Sequence, residues 1–209
     1  MTRDQVIELV RFRLGWHMNM SEATILAHMD AVQSMYSGEN SSLPLPWFLF
    51  HQFQTFIAVA ADRSTAMVDD FICFADNWPL AVEDGDGTPH ELTRESAIDM
   101  LGVTESGRPR WYTFDGSIVY LYPLPDVNYT VRCPCFRRGE ALSEDANSDW
   151  FVQFPNLIAL ETADAIMLSG RDAMGRKHIA QPLGDARLGY LRRVESMQHV
   201  QRSYYIGTK

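Results

Sequence analysis

The sequence is poor in several things at once. Only three of its 209 residues are cysteine: Cys73, Cys133 and Cys135. Their odd number, and a Cys133-Pro134-Cys135 spacing too tight for an unstrained bridge across a strand, point to reduced thiols. No apolar run approaches the ~20 residues needed to span a bilayer. Met1-Thr2-Arg3-Asp4-Gln5 opens an amphipathic pattern instead of a signal-peptide core. The expectation is a soluble chain made inside the cell, whose sequons at Asn19, Asn40 and Asn128 carry no glycan. Positive charge is also short, since 18 Lys+Arg face 27 Asp+Glu for a formal net charge of −9. A general nucleic-acid binder carries the opposite balance, because it must neutralise phosphates.

Catalytic signatures are missing as well. There is no G-x-S-x-G, no glycine-rich dinucleotide fingerprint and no Cys-x-x-Cys pair. His90-Glu91-Leu92-Thr93-Arg94 comes within one residue of the zinc signature H-E-x-x-H, but Arg94 stands where the second imidazole must be. The stretch from Gly170 to Lys177 imitates a phosphate loop, yet no Ser or Thr follows Lys177 and a helical pattern precedes it. Asp84, Asp86, Thr88 and Glu95 fall on ligand positions of a calcium loop, where Pro89 replaces the glycine that its sharp turn needs. Asp69/Asp70 and Glu144/Asp145 could serve a carboxylate-dependent hydrolase as acid and base, although adjacent acids on a surface loop are ordinarily just solvated. His28, among Ile25, Met29 and Val32, reads as a packed core-edge histidine. No catalytic, cofactor-binding or metal-ligating residue is assigned, and no cofactor is expected.

What the chain does have is apolar mass, at 46% hydrophobic and 11% aromatic residues, enough for a sizeable core. It also has an uneven spread of charge. Residues 1–170 hold 10 Arg and 24 acids, net −14, whereas 171–209 hold eight cations and three acids, net +5. Sixteen of the 18 cations are Arg, the residue suited to two-pronged pairing with carboxylates. The tail is read either as a solvated helix face or as a docking arm for an acidic partner.

Periodicity predicts helices at both ends. Thr2 and Gln5 form a capping box ahead of Ile7, Val10 and Leu14. Ser21 caps a second helix carrying Ile25, Met29, Val32 and Tyr36, with Gly38 ending it, and the two stripes are expected to face each other. In the middle, 54–68 and 79–92 read as hairpins, the second turning at Asp84-Gly85-Asp86-Gly87. Thr93 is expected to cap a short helix to Leu101. Trp111–Phe114, Ile118–Tyr122 and Val127–Phe136 then read as an antiparallel meander. Beyond Pro155 the helical period returns with Leu157, Leu160, Ala163 and Met167. Pro182 and Gly184 interrupt it before a last stripe of Leu188, Leu191, Val194, Met197 and Tyr204. The fold class is α+β: N- and C-terminal helices packed with a small central antiparallel sheet, and an extended C-terminal arm. The predicted body spans 1–182, helical over 1–38, β-rich over 47–137 and helical over 156–180; the basic arm spans 183–209.

One ordered series of residues has a counterpart elsewhere. It runs Leu45-Pro46-Trp47-Phe48-Leu49, Asp70-Phe71, Pro89 to Asp99, Gly107-Arg108-Pro109-Arg110-Trp111-Tyr112 and Ile118 to Pro123. It continues through Pro125-Asp126-Val127-Asn128-Tyr129-Thr130-Val131, Asn147-Ser148-Asp149-Trp150 and Pro155-Asn156-Leu157-Ile158. Over residues 45–160 this resembles the head-to-tail adaptor (connector, or tail accessory) proteins of tailed, especially short-tailed, bacteriophages. Cys133-Pro134-Cys135 departs from the smooth strand of the pattern, the proline implying an edge strand or bulge. The resemblance implies a structural virion protein at the head–tail junction and not an enzyme. Its partners would be the portal, the tail tube or nozzle, and copies of itself in a dodecameric ring that helps retain packaged DNA; no membrane is involved. It also implies that the C-terminal segment docks on the portal. In this sequence that segment carries Arg187, Arg192, Arg193 and Arg202 to meet carboxylates, with Leu188, Tyr190, Leu191, Tyr204 and Tyr205 as apolar anchors.

Overall fold

A computed structural model describes residues 1–15, 20–37, 43–51, 53–67, 70–75, 78–96, 104–115, 118–170 and 173–206, with side chains from 176 to 197 in the last span. The chain forms two compact units: Met1–Phe48 with Gly139–Lys209, and Leu49–Arg138.

The first unit is helical. Helix α1 (Arg3–Leu14) starts at the predicted capping box, Thr2 Oγ1 accepting from the Gln5 amide and Gln5 Oε1 accepting from the Thr2 amide. Helix α2 (Glu22–Ser37) starts where Ser21 Oγ accepts from the Thr24 amide at 3.2 Å; Gly38, its predicted end, lies outside the described residues. Both predicted stripes are buried: Val6, Ile7, Val10 and Leu14 on α1, and Ile25, Met29, Val32 and Tyr36 on α2. They do not chiefly face each other. Both lie on the helix Pro155–Ser169, designated α4 because a short α3 (Asp149–Gln153) precedes it. Every residue of α4 from Leu157 to Ala163 is buried. A helix with no polar face belongs at the centre of its neighbours, which is why α1 and α2 converge on it.

Helix α5 (Ala173–Ile206) runs 34 residues, about 50 Å, and passes straight through Pro182 and Gly184, where an interruption was expected. Proline costs an internal helix one hydrogen bond, and packing against α4 carries the helix across it. Its buried seam is Ile179, Leu183, Tyr190 and Val194. The predicted stripe shares only Val194 with that seam, because Leu188 and Leu191 belong to another face of the same turns and Leu188 is 51% exposed.

The second unit is β-rich, and its described residues form three small sheets where one meander was expected. The strands are β1 (Phe50–His51), β2 (Thr55–Ala58), β3 (Ser64–Ala66), β4 (Phe71–Phe74), β5 (Ala81–Glu83), β6 (Pro89–Glu91), β7 (Thr93–Arg94), β8 (Trp111–Asp115), β9 (Ile118–Tyr122), β10 (Tyr129–Arg132) and β11 (Cys135–Arg137). Two predicted hairpins form: β5–β6, with Val82 opposite His90, and β8–β9, with Thr113 opposite Tyr120. The hairpin at 54–68 does not, since β2 pairs with β10 while β3 pairs with β9. Thr93 starts no helix; it opens β7, parallel to β8, and residues 97–101 of that prediction lie outside the described residues. Nor does β10 continue from β9, since it joins β2 and β5 instead. Short strands of similar composition do not specify partners, and burial of Ala58, Val82, Leu121 and Val131 in one core selects them.

Pro134 sits between β10 and β11, where the chain leaves one sheet and enters the middle of another. A proline at the switch costs no ladder bond, and its carbonyl still accepts from the Ala75 amide at 3.4 Å. A register shift follows between Phe136 and Arg137, so the predicted irregularity exists but falls beyond the proline. All three cysteines are free thiols.

The central position of α4 makes a prediction. Ile158→Ala, at a fully buried site, should destabilise the protein by about 2–5 kcal/mol in urea unfolding. Leu168→Ala on the same helix, 57% exposed, should change it by no more than about 0.5 kcal/mol.

Candidate functional site

The residues that the sequence assigns to docking cluster on α5, and the structure shows how that helix is seated. Glu161 of α4 is 4% exposed, an acid placed in an otherwise apolar run. Its carboxylate accepts from Arg187 twice, Nε at 2.5 Å and Nη2 at 2.7 Å, and from the Tyr36 hydroxyl at 2.5 Å. One carboxylate therefore ties α2 and α5 to α4. Burial, then the bond to Glu161, pushes the Tyr36 phenol well above the ordinary tyrosine range. The same carboxylate holds the Arg187 guanidinium even more firmly protonated.

One turn further along, Tyr190 is buried and its hydroxyl donates to the Pro44 carbonyl at 2.6 Å. Its ring meets Phe154 edge-on at 4.9 Å and Tyr36 at 5.1 Å, and lies nearly parallel to Trp150 at 6.4 Å. Burial raises this phenol too. Arg193 donates to Gln153 Oε1 at 2.7 Å, with its guanidinium 5.6 Å from the Trp47 ring centre and 5.9 Å from that of Phe154. Arg176 grips Asp164 at 2.8 and 3.4 Å. Between α4 and α5 lies a groove of about 410 Å³, walled by Asp164, Arg176, Lys177, Leu183 and Arg187 over Ala180 and Gly184.

The structure thus sorts the sequence-assigned residues. Arg187, Tyr190 and Arg193 pair within their own unit. Leu188 and Arg192 are exposed and Leu191 is half-buried. The side chains of Arg202, Tyr204 and Tyr205 lie outside the described residues. Sequence reasoning missed Glu161 and Tyr36 as partners of the arm, although a single acid inside Leu157-Ile158-Ala159-Leu160-Glu161-Thr162-Ala163 was itself a signal, because a buried charge requires a partner.

The motif-like residues of the second unit have structural partners. Asp84 Oδ2 accepts from Arg108 at 3.1 Å and lies 2.7 Å from His90 Nε2, so the zinc-like and calcium-like fragments meet in one ion cluster. Asp86 accepts from the Thr88 amide, which holds its carboxyl below the ordinary range. Among the described residues no three potential ligands gather into a metal site, and no helix is long and apolar enough to cross a membrane. Of the carboxylate pairs, Asp69 lies outside the described residues, and Glu144/Asp145 sit on a turn where Asp145 accepts from the Asn147 amide.

The raised phenols of Tyr36 and Tyr190 set a direction with pH. A phenol held neutral in the fold keeps its proton where the unfolded chain, titrating near pH 10, has lost it. These two phenols therefore leave stability unchanged below about pH 10 and lower it as pH rises beyond. Alkaline unfolding followed by tyrosinate absorbance should show a cooperative limb that the Tyr36→Phe/Tyr190→Phe variant flattens.

Among known proteins, a family model described as SU10 adaptor protein matches residues 1–203. No curated protein matches the chain.

Proposed function

The chain belongs to the SU10 adaptor protein family, and we propose that it forms the ring joining portal to tail in a bacteriophage virion. The family match bears out the resemblance carried by residues 45–160, and the role is a structural one in phage assembly. The finer reading is that dodecameric rings sit at the head–tail junction. The portal lies on one side, the tail tube or nozzle on the other, and packaged DNA passes through without specific recognition.

The observation that supports it most is the construction of α5. Its base is clamped by Glu161, the Pro44 carbonyl and Trp47, while Leu188 and Arg192 face outward and the helix continues to Ile206. A helix anchored on its inner face, with Leu188 and Arg192 exposed on the other, can carry a binding surface to a second protein without rearranging the unit that holds it. Within the basic segment, Arg187, Tyr190 and Arg193 hold the base. Leu188, Leu191 and Arg192 form the near part of the docking face, and the sequence adds Arg202, Tyr204 and Tyr205. An acidic body suits a conduit for DNA, since like charge keeps the duplex from adhering.

Imaging purified protein mixed with portal rings tests this reading. The full chain should decorate the rings twelve-fold, and deletion of 195–209, which spares Tyr190 and Val194, should abolish decoration. Leu188→Asp/Arg192→Glu should weaken it by about tenfold or more, the scale of one rim contact. Decoration that survives both changes would refute the docking face. Clearing of peptidoglycan that is lost on Glu144→Gln/Asp145→Asn would refute a purely structural role.

A further inference from the structure

The groove between α4 and α5 is a built site. Arg176 and Arg187 each spend Nε and Nη2 on a carboxylate beneath them, Asp164 and Glu161 respectively. That pairing fixes both guanidinium planes and leaves each Nη1 edge without a bond among the described residues, on side chains 41% and 51% exposed. Lys177 stands in the wall beside them, exposed and with no ion pair among the described residues. The floor at Ala180 and Gly184 is shallow, and a Cβ built on Gly184 meets nothing within 4 Å. Two oriented guanidiniums and an exposed lysine around a small-residue floor make a receptor for acidic side chains, because guanidinium edges pair two-pronged with carboxylates.

The chain supplies a matching ligand. Residues 140–149 carry Glu140, Glu144, Asp145 and Asp149 and no Lys or Arg. Glu140, Glu144 and Asp149 are exposed, and none of the three has an ion pair among the described residues. The segment is held in shape: the Gln33 side chain donates to the Glu140 carbonyl at 2.9 Å, Asp30 accepts from the Ser143 amide at 2.9 Å, and Arg3 donates to the Ser143 carbonyl at 2.8 Å. A preformed acidic turn and a preformed cationic groove on one chain fulfil each other only between copies. No ion pair joins them within one molecule among the described residues. DNA phosphate fits less well, since a chain of net charge −9 repels the duplex as a whole.

We infer that the α4–α5 groove receives the acidic turn 140–149 of a neighbouring copy. This inference rests on the ring reading above and names the contact that propagates the ring. Different surfaces meet in it, so each copy presents a groove to one neighbour and a turn to the other, which is the head-to-tail arrangement that closes into rings. Glu144 and Glu140 enter beside Lys177 and the free edges of Arg176 and Arg187.

Charge exchange tests it on the full chain. Lys177→Glu/Ala180→Glu and Glu140→Lys/Glu144→Lys change only exposed side chains, and both variants should keep the circular-dichroism melting curve of the parent. Sedimentation at low salt should show the parent self-associating, with about tenfold or greater loss of association in each variant alone. An equimolar mixture of the two should recover it, since every contact then pairs opposite charges. A parent that does not self-associate, or a mixture that does not recover, overturns the inference. Association lost only with the groove variant means another acidic partner fills the groove, which also overturns it. Duplex-DNA binding lost with the groove variant assigns the groove to phosphate and overturns it as well. Portal decoration is scored separately. Variants that still bind the portal but at reduced occupancy support both readings, whereas a parent that self-associates without decorating the portal defeats only the adaptor reading.

Discussion

A single buried carboxylate organises the helical unit. Glu161 sits on the central helix where neither solvent nor apolar neighbours can satisfy its charge, so the positions of α2 and α5 are constrained to bring Tyr36 and Arg187 to it. Burying that charge costs several kcal/mol before any pairing repays it. The network's main effect is therefore on register: a slip of α5 by one turn would cost the carboxylate its ion pair, and a slip of α2 its phenol donor. The aromatic cluster of Trp150, Phe154 and Tyr190 then packs around a geometry already set. Everything that α5 presents outward, including Leu188 and Arg192, depends on that seating.

The same constraint changes how the basic tail is understood. Its excess of arginine suggested a set of cations waiting for a partner. Arg176, Arg187 and Arg193 are instead committed to Asp164, Glu161 and Gln153, and the first two retain only one edge for anything else. Pairing of this kind does not silence an arginine. It fixes the plane of the guanidinium and so converts a mobile charge into an oriented one. In the proposed contact between copies, an oriented cationic groove would accept a neighbour's acidic turn in one orientation only.

How much of this was legible beforehand follows from the range of each interaction. Helix α1 was readable because its start rests on Thr2 and Gln5, three residues apart, and its stripe on local period. The hairpins β5–β6 and β8–β9 were readable for the same reason, each with its turn adjacent. The pairing of β10 with β2 and β5 was not, since it joins residues about seventy and fifty positions apart that no local pattern connects. The face of α5 was misassigned because hydropathy alone does not rank Tyr190 above Leu188; the hydroxyl's partner, the Pro44 carbonyl, lies far away in sequence. For the candidate site, the seating of α5 was not legible, because the partners of Arg187 and Arg193, Glu161 and Gln153, lie far away in sequence. Whether an arginine anchors or docks depends on an acid elsewhere in the chain.

Hydrogen exchange along α5 is the most direct check on a helix rooted by Glu161 and completed by a partner. In the free protein, amides from Ile179 to Val194 should be protected to the level of α4. Adding portal rings should extend protection beyond Val194 while leaving the amides of residues 49–138 less affected. Free exchange from Ile179 to Val194 in the isolated protein, or ring-induced protection confined to residues 49–138, would contradict the account.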